Sequence, residues 1–235
     1  MKTKLIGMII AGVVLMVVQA KADPNLLYNG SFEILSSGAP IYPINLTTGF
    51  GSGQVPGWTG NIAVDSGVDR GAGVKPPGAE DGTNAAYFKN NDGWAEQTTT
   101  TPIQSGLSYD LTFWTMNIDT YNSSWSGAGQ GDITVEVYYG NDANSIVTRD
   151  YNLGLSSNGA TPGTWVLQDL ALPAGSIPVG AIGQDIGVRI WNSSQNVAGS
   201  WIYVDNVTLV PEPTTCALLG FGTLATVLGL RRRRA

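Results

Sequence analysis

Between residues 23 and 210 apolar and polar residues keep changing places at every second position, and nowhere do the apolar ones hold a 3.6-residue period. Leu107, Tyr109, Leu111 and Phe113 alternate with Ser108, Asp110 and Thr112. Ile133, Val135, Val137 and Tyr139 alternate with Asp132, Thr134, Glu136 and Tyr138. Ile186, Val188 and Ile190 alternate with Asp185, Gly187 and Arg189, and residues 201–210 read as a closing strand. Successive side chains on a strand point to opposite faces, so each run offers one face to a core and leaves the other for something else. Weaker runs occupy 62–64, 84–89, 94–101, 146–153 and 165–172, and clusters drawn from the 31 Gly, 12 Pro and the Asn and Ser residues punctuate them. A long helical bundle is excluded. About eight to ten short strands without an internal repeat predict an all-β fold, a single jelly-roll sandwich of two antiparallel sheets.

The chain contains no His, which removes Ser-His-Asp and Cys-His nucleophiles, His-ligated metals and the usual proton carrier near neutral pH. Its one Cys, Cys216, cannot form an internal disulfide, so a packed core must hold the fold together. Only 13% of residues are charged, against about 25% in ordinary globular domains. Five basic residues (Arg70, Lys75, Lys89, Arg149 and Arg189) face 17 acidic ones between positions 23 and 210, a net charge of −12. Nucleic acid is therefore not an expected partner, because no basic stripe exists to displace counterions.

Both ends read as addresses. Lys2 and Lys4 precede an apolar run at 5–18, and Ala20-Lys21-Ala22 has the small-x-small form accepted by signal peptidase, so residues 1–22 are expected to be a cleaved signal peptide. At the other end Val210-Pro211-Glu212-Pro213 is expected to stop the last strand. Residues 214–230 form an almost uncharged span, and Arg231, Arg232, Arg233 and Arg234 follow it, which predicts a transmembrane helix with the Arg cluster in the cytoplasm and the domain outside. Pro211, Glu212 and Pro213, the span and the Arg cluster together resemble the bacterial PEP-CTERM sorting tail, also named after ice-binding proteins that carry it. That resemblance implies export, membrane retention through the helix, and tail removal by an exosortase-type enzyme, leaving the protein in the cell envelope or released outside.

A second resemblance covers most of 25–209. Asn25-Leu26-Leu27-Tyr28-Asn29-Gly30-Ser31-Phe32-Glu33, Val55-Pro56-Gly57-Trp58, Asp81-Gly82-Thr83-Asn84, and the closing Tyr203-Val204-Asp205-Asn206-Val207 occur in the order seen in galactose-binding-like jelly rolls, including carbohydrate-binding modules of family 4/9 and DUF642 domains. The resemblance implies a non-catalytic sugar- or matrix-binding module, in which a structural Ca²⁺ would join the first and last strands through Glu33 and Asp205. Strand parity bears on that ion: without a bulge, Asp205 shares the face of Tyr203, Val207 and Leu209, and a carboxylate in an apolar layer needs a partner, either a cation or backbone N–H groups.

Parity also suggests a ligand surface. Trp114 continues the polar series of Asp110 and Thr112, Tyr138 that of Thr134 and Glu136, and Trp191 that of Gly187 and Arg189. Aromatic rings among short polar side chains suit the C–H faces and hydroxyls of a sugar, so Trp114, Tyr138, Trp191, Arg189 and Glu136 are candidate contacts, with Trp125 on a polar loop as a sixth. Trp58 and Trp165 read as core or rim residues. The expectation is thus an exported, non-catalytic protein whose partner is an extracellular polysaccharide or matrix. A structural or adhesive matrix protein is the alternative, and a glycoside hydrolase using Glu136 with Asp110 is the third reading.

Overall fold

The alternating runs become strands that pair in antiparallel fashion throughout. The computed structural model describes residues 25–36, 47–49, 54–60, 66–71, 74, 77–89, 93–117, 131–140, 144–153, 163–194 and 201–212. Among them are β1 (Thr47–Gly49), β2 (Thr59–Gly60), β3 (Gly67–Arg70), β4 (Asn84–Lys89), β5 (Trp94–Pro102), β6 (Ser108–Asn117), β7 (Asp132–Tyr139), β8 (Asn144–Asn152), β9 (Val166–Leu172), β10 (Asp185–Asn192) and β11 (Trp201–Glu212). Two short 3-10 turns separate β9 from β10. One sheet has six strands in the order β1-β3-β4-β11-β6-β9, and the other has five in the order β2-β5-β10-β7-β8. This is the jelly-roll sandwich expected from the alternation. The final strand lies in the middle of the six-stranded sheet, between β4 and β6.

The core lies where parity puts it. Leu111 and Phe113 of β6, Ile133, Val135 and Val137 of β7, Ile186, Val188 and Ile190 of β10, and Ile202 and Val204 of β11 are fully buried in one cluster between the sheets. One open side of the sandwich is closed by Tyr151 of β8, whose hydroxyl donates to the Asp169 carbonyl of β9 at 2.7 Å and whose ring meets Phe113 edge-on. Burial pushes that phenol up to about 12, so it remains a donor at any ordinary pH.

The opening motif at 25–33 is a stitch between the sheets. Leu26 N–H donates to the Leu209 carbonyl and Val207 N–H to the Gly30 carbonyl, both on β11. Gln97 of β5, in the other sheet, accepts from Tyr28 N–H at 2.6 Å and donates to its carbonyl at 2.9 Å. Trp58 is a core residue, 1% exposed, and donates its indole N–H to the Asn29 carbonyl. Gly30 is required here because a Cβ would sit 2.0 Å from the Val207 oxygen.

Two expectations about β11 change. The strand does not stop at Val210: Pro211 pairs with Tyr109 and Glu212 with Ser108. Pro211 is tolerated because residues of its parity, Val207 and Leu209, direct their N–H groups to the 25–30 segment, so the missing donor falls beyond that segment rather than in the β6 ladder. The strand also carries a bulge. Asp205 pairs with Trp114 and Thr208 with Thr112, three steps against two, with Asn206 at φ 48°. Val207 and Leu209 therefore face the core, whereas Asp205 and Tyr203 face outward, and the single face expected from an unbroken alternation is split in two.

Candidate active site on the five-stranded sheet

The outward face of the five-stranded sheet gathers its chemistry on three adjacent strands. Arg189 of β10 stands opposite Glu96 of β5 on one side and Glu136 of β7 on the other. Its Nε and Nη2 reach Glu96 Oε2 at 2.7 and 2.6 Å, and its Nη1 reaches Glu136 Oε2 at a longer 3.3 Å. The Glu136 side chain is 11% exposed, that of Glu96 25%. Two carboxylates thus share one guanidinium, Glu96 holding it with two donors and Glu136 with one. The centre keeps a net negative charge.

Beside them Trp191 faces Trp94 across the β10–β5 pair, both half-buried. Directly opposed rings on one sheet face lie within reach of a common flat ligand. On the other side of Arg189 the sheet has a floor. Gly187 faces both Tyr138 and Thr98, and because it has no side chain the Tyr138 ring crosses over β10 to Thr98, with hydroxyl oxygens 2.8 Å apart. A Cβ on Gly187 would lie 2.2 Å from that ring. The Arg189 guanidinium sits 5.5 Å from the ring centroid, a cation–π contact that helps orient it. Tyr138 is 2% exposed, and burial holds its phenol above the ordinary value. Farther along the face, Thr134 donates to Asp150 Oδ1 at 2.5 Å.

Of the six candidate contacts, Tyr138, Trp191, Arg189 and Glu136 come together here. Trp114 does not: β6 belongs to the other sheet, where Trp114 stands opposite Asp205 and Leu167. The same separation removes the glycosidase pair, because Asp110 and Glu136 occupy outward faces of opposite sheets, about 10 Å of core apart before side chains are added. Trp125 lies outside the described residues. Glu96, Trp94 and Thr98 were missed; the signal was available, since Trp94, Glu96 and Thr98 alternate with Ala95 and Gln97 as the other strands do.

Glu33 and Asp205 both hold one segment. Asp205, 0% exposed, accepts the N–H groups of Glu80 and Asp81 at 2.9 Å on one oxygen and that of Asn206 at 2.7 Å on the other. Glu33 accepts those of Thr83 and Asn84 at 2.8 and 2.7 Å, and the Thr83 hydroxyl on its second oxygen. Both carboxylates thus spend most of their acceptor capacity on the 80–84 segment, and no group of three or more acidic or Cys side chains suited to a metal occurs among the described residues. Burial outweighs the three N–H bonds and pushes the Asp205 carboxyl up to about 7.

The tail expectations fall largely outside the described residues, which include Pro211 and Glu212 but not Pro213, residues 214–230 or Arg231–Arg234. Among the described residues no helix is long and apolar enough to cross a membrane.

Known proteins set this geometry in context. None of the curated proteins compared matches the chain. A solved apo cyclase from Fischerella sp. is 20% identical, with 82% of this chain and 96% of that one covered and a TM-score of 0.54. The Stig cyclase Fisc from Fischerella sp. TAU, solved in complex with (3Z)-3-(1-methyl-2-pyrrolidinylidene)-3H-indole, is 22% identical, with 82% and 98% covered and a TM-score of 0.52. At these identities the likeness establishes a shared fold. A family model, HpiC1-like, described as HpiC1 cyclase, matches residues 23–210.

That match corrects the reading drawn from sequence. The opening, Pro-Gly-Trp and closing motifs mark neither a DUF642 domain nor a family 4/9 carbohydrate-binding module, and the model found is not a PEP-CTERM one. The expectation of a non-enzymatic module bound to polysaccharide or matrix is overturned, because the matched family is one of cyclases. The motifs misled for a physical reason: in this chain they build the stitch and the loop clasp that close the sandwich. The chain belongs to the HpiC1-like family, described as HpiC1 cyclase.

Proposed function

We propose that this protein is a cyclase that binds a small aromatic substrate on the outward face of the five-stranded sheet and closes a ring through a cationic transition state. The observation that carries the reading is the pair Trp94–Trp191 beside two carboxylates that share one guanidinium. A ring closure begun by protonation and ended by proton loss is an isomerisation, so the protein must supply shape, a proton carrier and a negative field around developing positive charge. Flat rings and uncompensated carboxylate charge meet the last need. With no His in the chain, a carboxylate is the natural carrier, and Glu136, held by a single longer contact to Arg189, is the one free to act. Glu96 with Tyr138 keeps the guanidinium in place.

The substrate class we propose is indole-bearing, in keeping with ligands held by structural relatives: Fisc carries an indole derivative, and another cyclase from Fischerella sp. TAU was solved with 4-(1H-indol-3-yl)butan-2-one. We also propose that the protein is exported with residues 1–22 removed, which N-terminal sequencing of the native protein would test by finding Asp23 first. The test of function is incubation of the full chain with indoles bearing an unsaturated side chain, followed by chromatography and mass spectrometry. Products of unchanged mass and altered retention, absent with Glu136→Gln, are expected. Binding without conversion across the series would overturn the reading.

A further inference from the structure

The same face carries a second polar pair, Asp132 and Ser193. Asp132 occupies the next outward position beyond Thr134 on β7. Ser193 follows β10 and donates its N–H to the Asp132 carbonyl at 2.9 Å, which extends the β10–β7 ladder by one pair and sets the two side chains opposite each other. Asp132 Oδ1 and Ser193 Oγ are both shielded from solvent, and neither has a hydrogen-bond partner among the described residues, not even the other. Nearby polar groups are committed: Ser194 Oγ accepts the Asp132 N–H at 2.8 Å, and Asp150 accepts from Thr134. Buried polar atoms left unpaired are rare because each loses its bonds to water without replacement. Two of them on facing positions describe a place for one polar group of a ligand.

We infer that Asp132 and Ser193 form the polar end of the substrate site and hold the ring N–H of a heteroaromatic ligand whose flat body rests against Trp191. The inference rests on the proposal that this face binds an indole-type substrate. A donor is the group required, because a carboxylate oxygen can only accept, while the Ser hydroxyl can accept from the same N–H or donate to an acceptor next to it. Alternate residues on a strand stand about 7 Å apart, so a bicyclic ring on Trp191 brings its N–H to Ser193 and Asp132. The carboxyl of Asp132 is held above its usual range, first by burial and then by the charge of Asp150, and a ligand donor would relieve that strain on the ionised form.

The test compares indole with 1-methylindole, which keeps the ring and lacks the donor, by isothermal titration calorimetry on the full chain. Indole is expected to bind about tenfold more tightly, since a hydrogen bond to a charged group has roughly that weight. Ser193→Ala should narrow the preference to about threefold, and Asp132→Ala should abolish it while circular dichroism reports an unchanged fold. Equal affinity of the wild-type chain for the two probes, with Trp191→Ala weakening both, would overturn the polar subsite and leave the aromatic site standing. Failure of either probe to bind folded protein at millimolar concentration would overturn the subsite together with the indole-binding reading. The wild-type comparison needs no variant, so an unstable Asp132→Ala does not remove the test.

Discussion

The two outward faces of the sandwich start from the same material, aromatic residues and carboxylates on alternating strands, and end in opposite states. On the six-stranded sheet Tyr87, Tyr203, Met116 and Ala85 form a second apolar cluster, with Val74, Ala79 and Trp165 packed against it. Tyr203 donates to Asp69, and the Trp165 indole donates to the Gly78 carbonyl. Asp205 is consumed by the N–H groups of Glu80, Asp81 and Asn206. On the five-stranded sheet Glu136 and Glu96 bond instead to a side chain, Arg189, which is 33% exposed. A carboxylate bound to backbone donors is part of the architecture, whereas one bound to a half-exposed guanidinium can exchange that partner for a substrate. The two sets of carboxylates differ in the kind of partner more than in burial, Glu136 being 8% exposed and Asp205 0%.

The sharpest way to break this contrast is to exchange the fates of the two carboxylates. Glu136→Gln should lower kcat by about 10²–10⁴-fold with the melting temperature almost unmoved; a loss of activity in Asp205 variants that fold normally would reverse the assignment. Asp205→Ala should leave the N–H groups of Glu80, Asp81 and Asn206 without their buried acceptor and cost about 3 kcal/mol, read as a fall in melting temperature with activity per folded molecule retained. Gly187→Ala should strike both properties on the open face, because the Tyr138 ring must leave its seat and release Arg189. A loss of about 1–3 kcal/mol together with reduced turnover is expected, and a variant as stable and active as the wild type would show that the floor does not position the guanidinium.

Two smaller effects sharpen the comparison. Because the folded-state carboxyl of Asp205 titrates at about 7, above its unfolded value of 3.8, the folded state holds the extra proton between these limits. That contribution to stability is present below about pH 4 and is lost as the pH rises through about 7. The stability of the wild type relative to Asp205→Asn should therefore decline over this window and level off above it, in urea titrations at each pH. Calcium should matter least: adding Ca²⁺ and then a chelator is expected to leave melting within about 1 °C, and a rise of several degrees with Ca²⁺ would restore the ion at Glu33 and Asp205.

Much of the fold was readable because a period of two is local. Ile133, Val135 and Val137 declare their face from three positions, and the structure buries all three. Four residues of the open face, Glu136, Tyr138, Arg189 and Trp191, were legible for the same reason. Trp114 was misplaced because parity gives a face of a strand but not the sheet to which the strand belongs. Asp205 was placed with Val207 and Leu209 because one extra residue, Asn206 at φ 48°, inverts the alternation without any break in composition. The motifs at 25–33 and 203–207 resemble those of a binding module, but their contacts, Gly30 to Val207 and Asp205 to Glu80 and Asp81, serve the closure of the sandwich.

By itself, the amino-acid sequence determined that this chain is an all-β sandwich without His chemistry, since strand alternation and composition are properties of neighbours along the chain. Only the tertiary structure decided which carboxylates are occupied and which are presented. That decision depends on strands far apart in sequence: Glu96, Glu136 and Arg189 meet through the registers of β5, β7 and β10, and Asp205 meets Glu80 and Asp81 through a segment 124 or more positions away. Hydrogen bonding acts across space over about 3 Å, and no local pattern records which distant strand will come that close.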